Sequence, residues 1–335
     1  MTFLNSMNRR QMLLGSSALF GGLAMPAIVR GQGVTNIRLA HHLALESEQD
    51  IAANFFAQRV SELSGGAVAA QVLPAGQMGG QREIVESVAL GTLEMGYGES
   101  GLYASYLPRF SVVALPYIYR DFEHWQSVVT GDLGKTLAGE LEQASGMRVM
   151  NWMTSGRRST YLRNRAINEP SDFRGVKVRL PEAPVFVRTF SQLGAIPTPI
   201  PATEMYSALQ SGVVDAMEGS PEVAYTFRIH EVTQYCSMTR HIFLDGSFVA
   251  NNSFLAGLSD ANREAVEQAA AEAGDKLRSE HLAREEGWLE KLAEAGLTIN
   301  EPNLEAFTSQ LGSLQDSFAQ ESGSMDLLTA IREQA

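Results

Sequence analysis

The 335-residue chain has a single cysteine, Cys236. No internal disulfide framework and no multi-cysteine zinc or iron–sulfur site can be built from it. Proline and glycine are no commoner than usual, at 12 and 30 residues, which excludes collagen-like and low-complexity classes. Positive charge is in short supply: 26 Lys and Arg face 38 Asp and Glu, for a formal net charge of −12. Nucleic-acid binders carry a basic excess or a strong basic face, so no nucleic-acid partner is expected. No apolar run after residue 31 approaches the length of a membrane span. With 44% hydrophobic residues, the chain can bury the core of one large or two medium domains.

Residues 1–31 contain Arg9, Arg10 and Arg30 and no acid. Asn8-Arg9-Arg10-Gln11 opens an apolar run that continues to Val29 and contains Pro26. A basic start, an apolar stretch and small residues at its end are the layout of an export signal, and the paired arginines resemble a twin-arginine signal. A membrane anchor would need roughly 20 apolar residues without a proline, so cleavage near Gly31 and a periplasmic location are expected. Loss of the three arginines moves the net charge from −12 to −15.

Strand-like Thr35–Ala40, Val68–Leu73 and Leu93–Tyr97 alternate with helical Ser47–Leu63 and Gln81–Leu90. That alternation predicts an α/β fold with a mainly parallel sheet. The pattern resumes from Met147 to Val249. In Val176–Leu180, Lys177 and Arg179 should leave one face while the valines enter the other. Helices are expected over Glu182–Leu193 and Thr203–Gln210, and a short buried strand over Val213–Ala216. Ser259–Ala295 is helical almost throughout; its length of about 50 Å suits a helix spanning two lobes. Asn303–Phe318 and Met325–Arg332 are the last two helices expected.

Several motifs lack the context their chemistry requires. Gly96-Tyr97-Gly98-Glu99-Ser100-Gly101 fits GxGxxG, but Pro108 leaves no room for the long helix that binds a pyrophosphate, and Glu99 would repel it. A glycine-rich strand end lining a cleft is the better reading. Gly131–Thr136 ends like a phosphate loop but has valine at residue 129, where a glycine is required. His41, His42, Glu46 and Glu48 lie close together without a metal-ligand spacing, so no metal is expected. No GxSxG elbow occurs and nothing marks Cys236 as a nucleophile, so neither catalytic residues nor a cofactor is assigned.

One local excess stands out. Arginines 157, 158, 163, 165, 174 and 179, with Lys177, face only Glu169 and Asp172 between residues 157 and 179. A basic concentration in an acidic chain is a candidate anion receptor. Arginine suits a carboxylate because its planar fork donates two parallel hydrogen bonds. Most of these side chains fit a solvated face. Arg179 differs, since on a mostly apolar strand its burial without an anion would be costly.

At Arg179 the chain resembles the solute-binding proteins of TRAP transporters, the DctP-like family. The likeness runs through Phe173-Arg174-Gly175-Val176-Lys177-Val178-Arg179-Leu180-Pro181, through Gly194-Ala195-Ile196-Pro197-Thr198-Pro199, and through Met205 to Pro221. Pro74-Ala75-Gly76-Gln77-Met78-Gly79-Gly80, Leu115-Pro116-Tyr117 and Asn164–Asn168 fit it as well, in the family's order. The resemblance implies a two-lobed periplasmic binding protein of the Venus-flytrap kind, with the long helix across both lobes. Lobe I would comprise 33–156 plus about 245–284, and lobe II 157–244 plus about 285–335, with the cleft between them. It places the ligand carboxylate on Arg179 and a second pocket arginine on Arg158, with Arg157 as the alternative. His42, Glu99 and the rim residue Gln81 complete the polar lining. After Asp215 the sialic-acid binders of the family carry an asparagine that is missing here. Gly219 amides or Ser220 would stand in for it.

The function implied is capture of a small organic acid by a monomeric receptor and its delivery to a separate TRAP permease in the membrane. An exported enzyme acting on a small carboxylate and a sensory receptor are the alternatives.

Overall fold

The computed structural model describes residues 33–334; the expected export signal lies outside the described residues. Among the described residues ten strands form one continuous sheet. They are β1 (Thr35–Ala40), β2 (Val68–Leu73), β3 (Met95–Glu99), β4 (Met147–Val149), β5 (Met153–Leu162), β6 (Lys177–Leu180), β7 (Ile196–Pro199), β8 (Ala216–Gly219), β9 (Tyr235–Asn251) and β10 (Thr298–Asn300). The order is β2-β1-β3-β9-β5-β8-β6-β7, with β4 and β10 also on β9. Alternation decides which residues face which core: Val249 enters one apolar cluster, while its neighbours Phe248 and Ala250 enter the other.

The sheet is mixed rather than mainly parallel. Two parallel groups, β1 with β2 and β3, and β6 with β7 and β8, are joined by the long strands β5 and β9, which run antiparallel to each other. β9 pairs with β3 and β4 through its C-terminal half and with β10 through its first residues. One sheet thereby serves two lobes. Between them the β5–β9 register shifts twice, at Thr154/Arg157 and at Arg158/Thr160, and Gly156 takes φ +86° there. Extra residues in one strand bend it and re-aim its side chains.

The helix Asp260–Glu294 is 35 residues long and is capped by Ser259, whose hydroxyl accepts from the Asn262 amide. It runs beside the helix Glu48–Leu63, where Arg59 Nε meets Glu272 Oε2 at 2.6 Å, and reaches the helix Pro221–Thr226, where Lys291 Nζ lies 5.5 Å from the Tyr225 ring centre. It thus touches elements flanking both parallel groups. The last two helices, Leu304–Ser322 and Met325–Glu333, also connect distant segments. Gln310 donates to the Gln192 carbonyl, and Arg109 pairs with Asp326 at 2.7 Å.

Three local expectations are corrected. The strand expected over Val213–Ala216 begins only at Ala216; Val213 is exposed, and Asp215 is used to accept from the Lys177 amide. The third strand is displaced toward Glu99. Lys177 is exposed as expected, yet Arg179, two residues on, is only 4% exposed. The far end of β6 enters the interior, where both faces of the strand are covered.

Strand β9 passes so close to β3 that a β-carbon at Gly246 would lie 2.4 Å from the Tyr97 hydroxyl. Gly246→Ala should therefore destabilise the fold by about 1–3 kcal/mol, the usual cost of overpacking, read as a lower midpoint in denaturant unfolding.

Candidate functional site

Parallel strands aim their C-terminal ends at one place, and α/β folds bind ligands there. His42 follows β1, Glu99 ends β3 and Arg179 lies near the end of β6, where Pro181 stops the strand. All three line one cleft with Gln81, the first residue of the helix Gln81–Ala89, and with Arg158 from the bulged part of β5. Leu43, Leu102 and Val223 supply apolar walls. The cleft is narrow, with about 30 Å³ open to the centres of water molecules.

Two guanidinium groups are buried here, and their surroundings differ. Arg158 is 2% exposed and grips Glu218, which is fully buried. Arg158 Nε donates to Glu218 Oε2, and Nη2 donates to Oε1 at 2.6 Å and to the Glu218 carbonyl at 3.1 Å. Its plane lies 5.0 Å from the Phe186 ring centre, a cation–π contact. Behind Glu218 stands His241, with Nε2 at 3.2 Å from Oε2 and Nδ1 at 2.9 Å from the Thr239 hydroxyl. Burial keeps His241 below its ordinary pKa despite Glu218, so the neutral ring donates from Nε2 and accepts at Nδ1. Burial would raise Glu218, but the charge and hydrogen bonds of Arg158, helped by His241, hold it at about 2 against an ordinary 4.5.

Arg179 has no such partner. Its Nε donates to the Ile200 carbonyl at 2.8 Å, and among the described residues no carboxylate lies within ion-pair distance of it. Burial pulls its pKa down to about 10, opposed by the field of Glu218. Glu99 is 6% exposed, and its nearest cation is Arg158 Nη1 at 3.8 Å. Burial and the Glu218 charge raise Glu99, against the pull of Arg158 and Arg179. Burial, His41 and the two arginines drop His42 to about 3, so its ring is neutral. His42 Nδ1 and Gln81 Nε2 are buried without hydrogen-bond partners.

The structure thus brings His42, Gln81, Glu99, Arg158 and Arg179 together. Gly219 and Ser220 lie apart from the cleft lining: Gly219 pairs with Ser159 across the sheet, and the Ser220 hydroxyl accepts from the Val223 amide to cap a helix. Arg157 points elsewhere. It packs 4.8 Å from the Phe243 ring centre and donates to the Arg120 carbonyl at 2.5 Å, in a separate cavity shared with Arg240. Three contributors were not singled out in the sequence. Glu218 had a legible signal, a lone acid within an apolar strand. Arg82 and Glu182, paired at the cleft rim at 3.6 Å, had none.

A two-lobed α/β protein with a charged cleft between parallel-strand ends is, by fold and site, a solute-binding receptor. The chain belongs to the bacterial extracellular solute-binding protein family 7, whose profile matches residues 39–322. The sialic acid-binding periplasmic protein SiaP of Vibrio cholerae is 28% identical over 296 residues, covering 88% of this chain and 92% of that one. The C4-dicarboxylate-binding periplasmic protein DctP of Rhodobacter capsulatus is 30% identical over 292 residues, 85% of each chain. A TRAP periplasmic solute-binding protein of Roseobacter denitrificans, solved with bound β-D-glucuronate, superposes with a TM-score of 0.86 at 27% identity, over 90% of this chain and 100% of that chain. Among the described residues no helix is long and apolar enough to cross a membrane.

Removing Glu218 would leave Arg158 buried without its counter-charge. Glu218→Ala should cost roughly 3–5 kcal/mol in unfolding free energy. Because the folded-state pKa of Glu218 is depressed, its contribution is complete above the unfolded value and is lost as pH falls from about 4.5 toward about 2. Urea melts over that range should show a shallower acid-side loss of stability in Glu218→Gln than in the parent.

Proposed function

We propose that this protein is a periplasmic receptor that captures a small organic acid and delivers it to a TRAP permease in the membrane. The observation that carries the reading is Arg179, a buried guanidinium with one carbonyl partner and no carboxylate. A buried cation in that condition calls for an anion, and the fork opposite its Nε edge suits a ligand carboxylate. His42, Gln81 and Glu99 surround the rest of the ligand, and Arg158 contributes field and shape from its clasp on Glu218.

The lobes divide near 156/157, near 244/245 and, within the long helix, near 284/285, and close by bending about β5 and β9, the two strands that pass between them. Closure excludes water, which strengthens the ion pair and raises the cost of any unpaired polar group. The twin-arginine-like leader directs export and is cleaved near Gly31. Binding without turnover separates this receptor from an exported hydrolase or lyase. The names borne by the relatives above, for sialic acid and for C4 dicarboxylates, and the glucuronate in the solved neighbour agree with an acid as ligand.

Titration calorimetry of residues 32–335, refolded to strip any carried ligand, tests this. Arg179→Gln should lower the affinity for whichever acid binds by about 2–5 kcal/mol, the cost of breaking a buried charge pair. Unchanged affinity in that variant would remove Arg179 as the carboxylate anchor.

A further inference from the structure

Strand β5 turns two consecutive arginines into different spaces. Arg158 lines the cleft, while Arg157 lines a second cavity with about 290 Å³ open to the centres of water molecules, against about 30 Å³ in the cleft. That volume is near the lower end of small-molecule sites, roughly 300–1,000 Å³. The segment Tyr117–Arg120 forms one wall, Arg240–Phe243 of β9 a second, and Leu304 of the helix Leu304–Ser322 a third.

Three guanidinium groups line this cavity and no acid does. Among the described residues only one of the three, Arg240, pairs with a carboxylate: its Nη1 and Nη2 donate to Glu301 at 2.5 and 2.7 Å. Arg120 Nη2 donates to the Gln334 carbonyl at 2.9 Å, and Arg157 Nη2 to the Arg120 carbonyl at 2.5 Å. Nε and Nη1 of Arg157 donate to nothing among the described residues. Burial pulls Arg157 below its ordinary pKa; the opposing field is that of Glu285, whose carboxylate accepts from the Arg157 backbone amide. The rest of the lining is mostly apolar. Phe243 lies under Arg157 at 4.8 Å and meets Tyr119 edge-on at 5.9 Å, and Ile118, Ile242 and Leu304 complete the walls. Two lining residues, Tyr117 and Arg240, take left-handed backbone at φ +53° and +43° without being glycine. Strained backbone of that kind clusters at binding sites.

We infer that this cavity is a second ligand site, separate from the cleft, for a small anion with an apolar body, the class of an aromatic carboxylate. The inference goes beyond the receptor reading and stands without it. The open edges of Arg157 and Arg120 meet the charge, since a planar fork suits a carboxylate. The rings and aliphatic side chains take the body. A polyhydroxy body suits the walls less, because the Tyr117 hydroxyl is committed to the Thr239 carbonyl at 2.7 Å and hydroxyls set against apolar side chains go unpaired.

The test is a ligand-observed NMR titration of the refolded mature chain with benzoate, with acetate as the control for charge alone and benzyl alcohol for the ring alone. Benzoate should bind at least tenfold tighter than either. Arg157→Gln should weaken benzoate at least tenfold, Arg120→Gln severalfold, and Arg179→Gln not at all. Thermal melts confirm that each variant is folded, and the exposed Arg120 decides the matter should Arg157→Gln fail to fold. Benzoate binding no tighter than its controls would overturn the inference. So would benzoate binding that Arg157→Gln and Arg120→Gln both spare, and a loss in Arg179→Gln would then place benzoate in the cleft. None of these outcomes overturns the receptor reading, which rests on Arg179 and the acid in the cleft.

Discussion

A guanidinium buried with a carboxylate of its own and another buried without one set the chemistry of this cleft. Arg158 and Glu218 form a closed unit with parallel hydrogen bonds, an aromatic ring against the guanidinium and a neutral histidine behind the carboxylate. That unit holds charge in the interior without leaving it unmet. Arg179, a strand away, has no equivalent partner among the described residues, and its proposed role as anion anchor rests on that difference. Had Glu218 been apolar, Arg158 would also be open, and the site would call for two negative charges.

The sheet explains how the two arginines come to share a space. Arg179 belongs to the parallel group β6–β8, and Glu99 to the group β1–β3. The long strands β5 and β9 join the groups, and the bulges in β5 put Arg158 toward the cleft and Arg157 toward a different cavity. The C-terminal ends of both parallel groups therefore lie on either side of one strand pair, the pair about which the proposed closure would bend.

Much of this was legible in the sequence because the periodicities are strong. β1 and β2 coincide with the expected spans, and the helix Asp260–Glu294 departs by one residue at each end from the expected one. The glycines of the 96–101 motif serve close packing: a β-carbon at Gly98 would come within 2.7 Å of the Tyr103 hydroxyl. The antiparallel bridging strands were not read, because strands buried over most of their described length, such as Tyr235–Asn251, lack the polar–apolar alternation that marks a half-exposed strand. Arg179 was legible as a charge on an apolar strand, and Arg158 through resemblance and position. Their different partners were not, since the Arg158–Glu218 clasp joins residues 60 positions apart in the chain. Ser220 shows the converse case: a polar residue beside the site is used up by a local cap, which sequence spacing does not distinguish from ligand contact.

A crystal structure of the mature chain with its bound acid tests the central claim most directly. The ligand carboxylate should lie about 2.7–2.9 Å from the Arg179 Nη nitrogens, the usual length of a charge-assisted bond, while Glu218 keeps both of its bonds to Arg158. A carboxylate seated on Arg158 with Glu218 displaced, or that acid bound among Arg120, Arg157 and Arg240 rather than on Arg179, would contradict it.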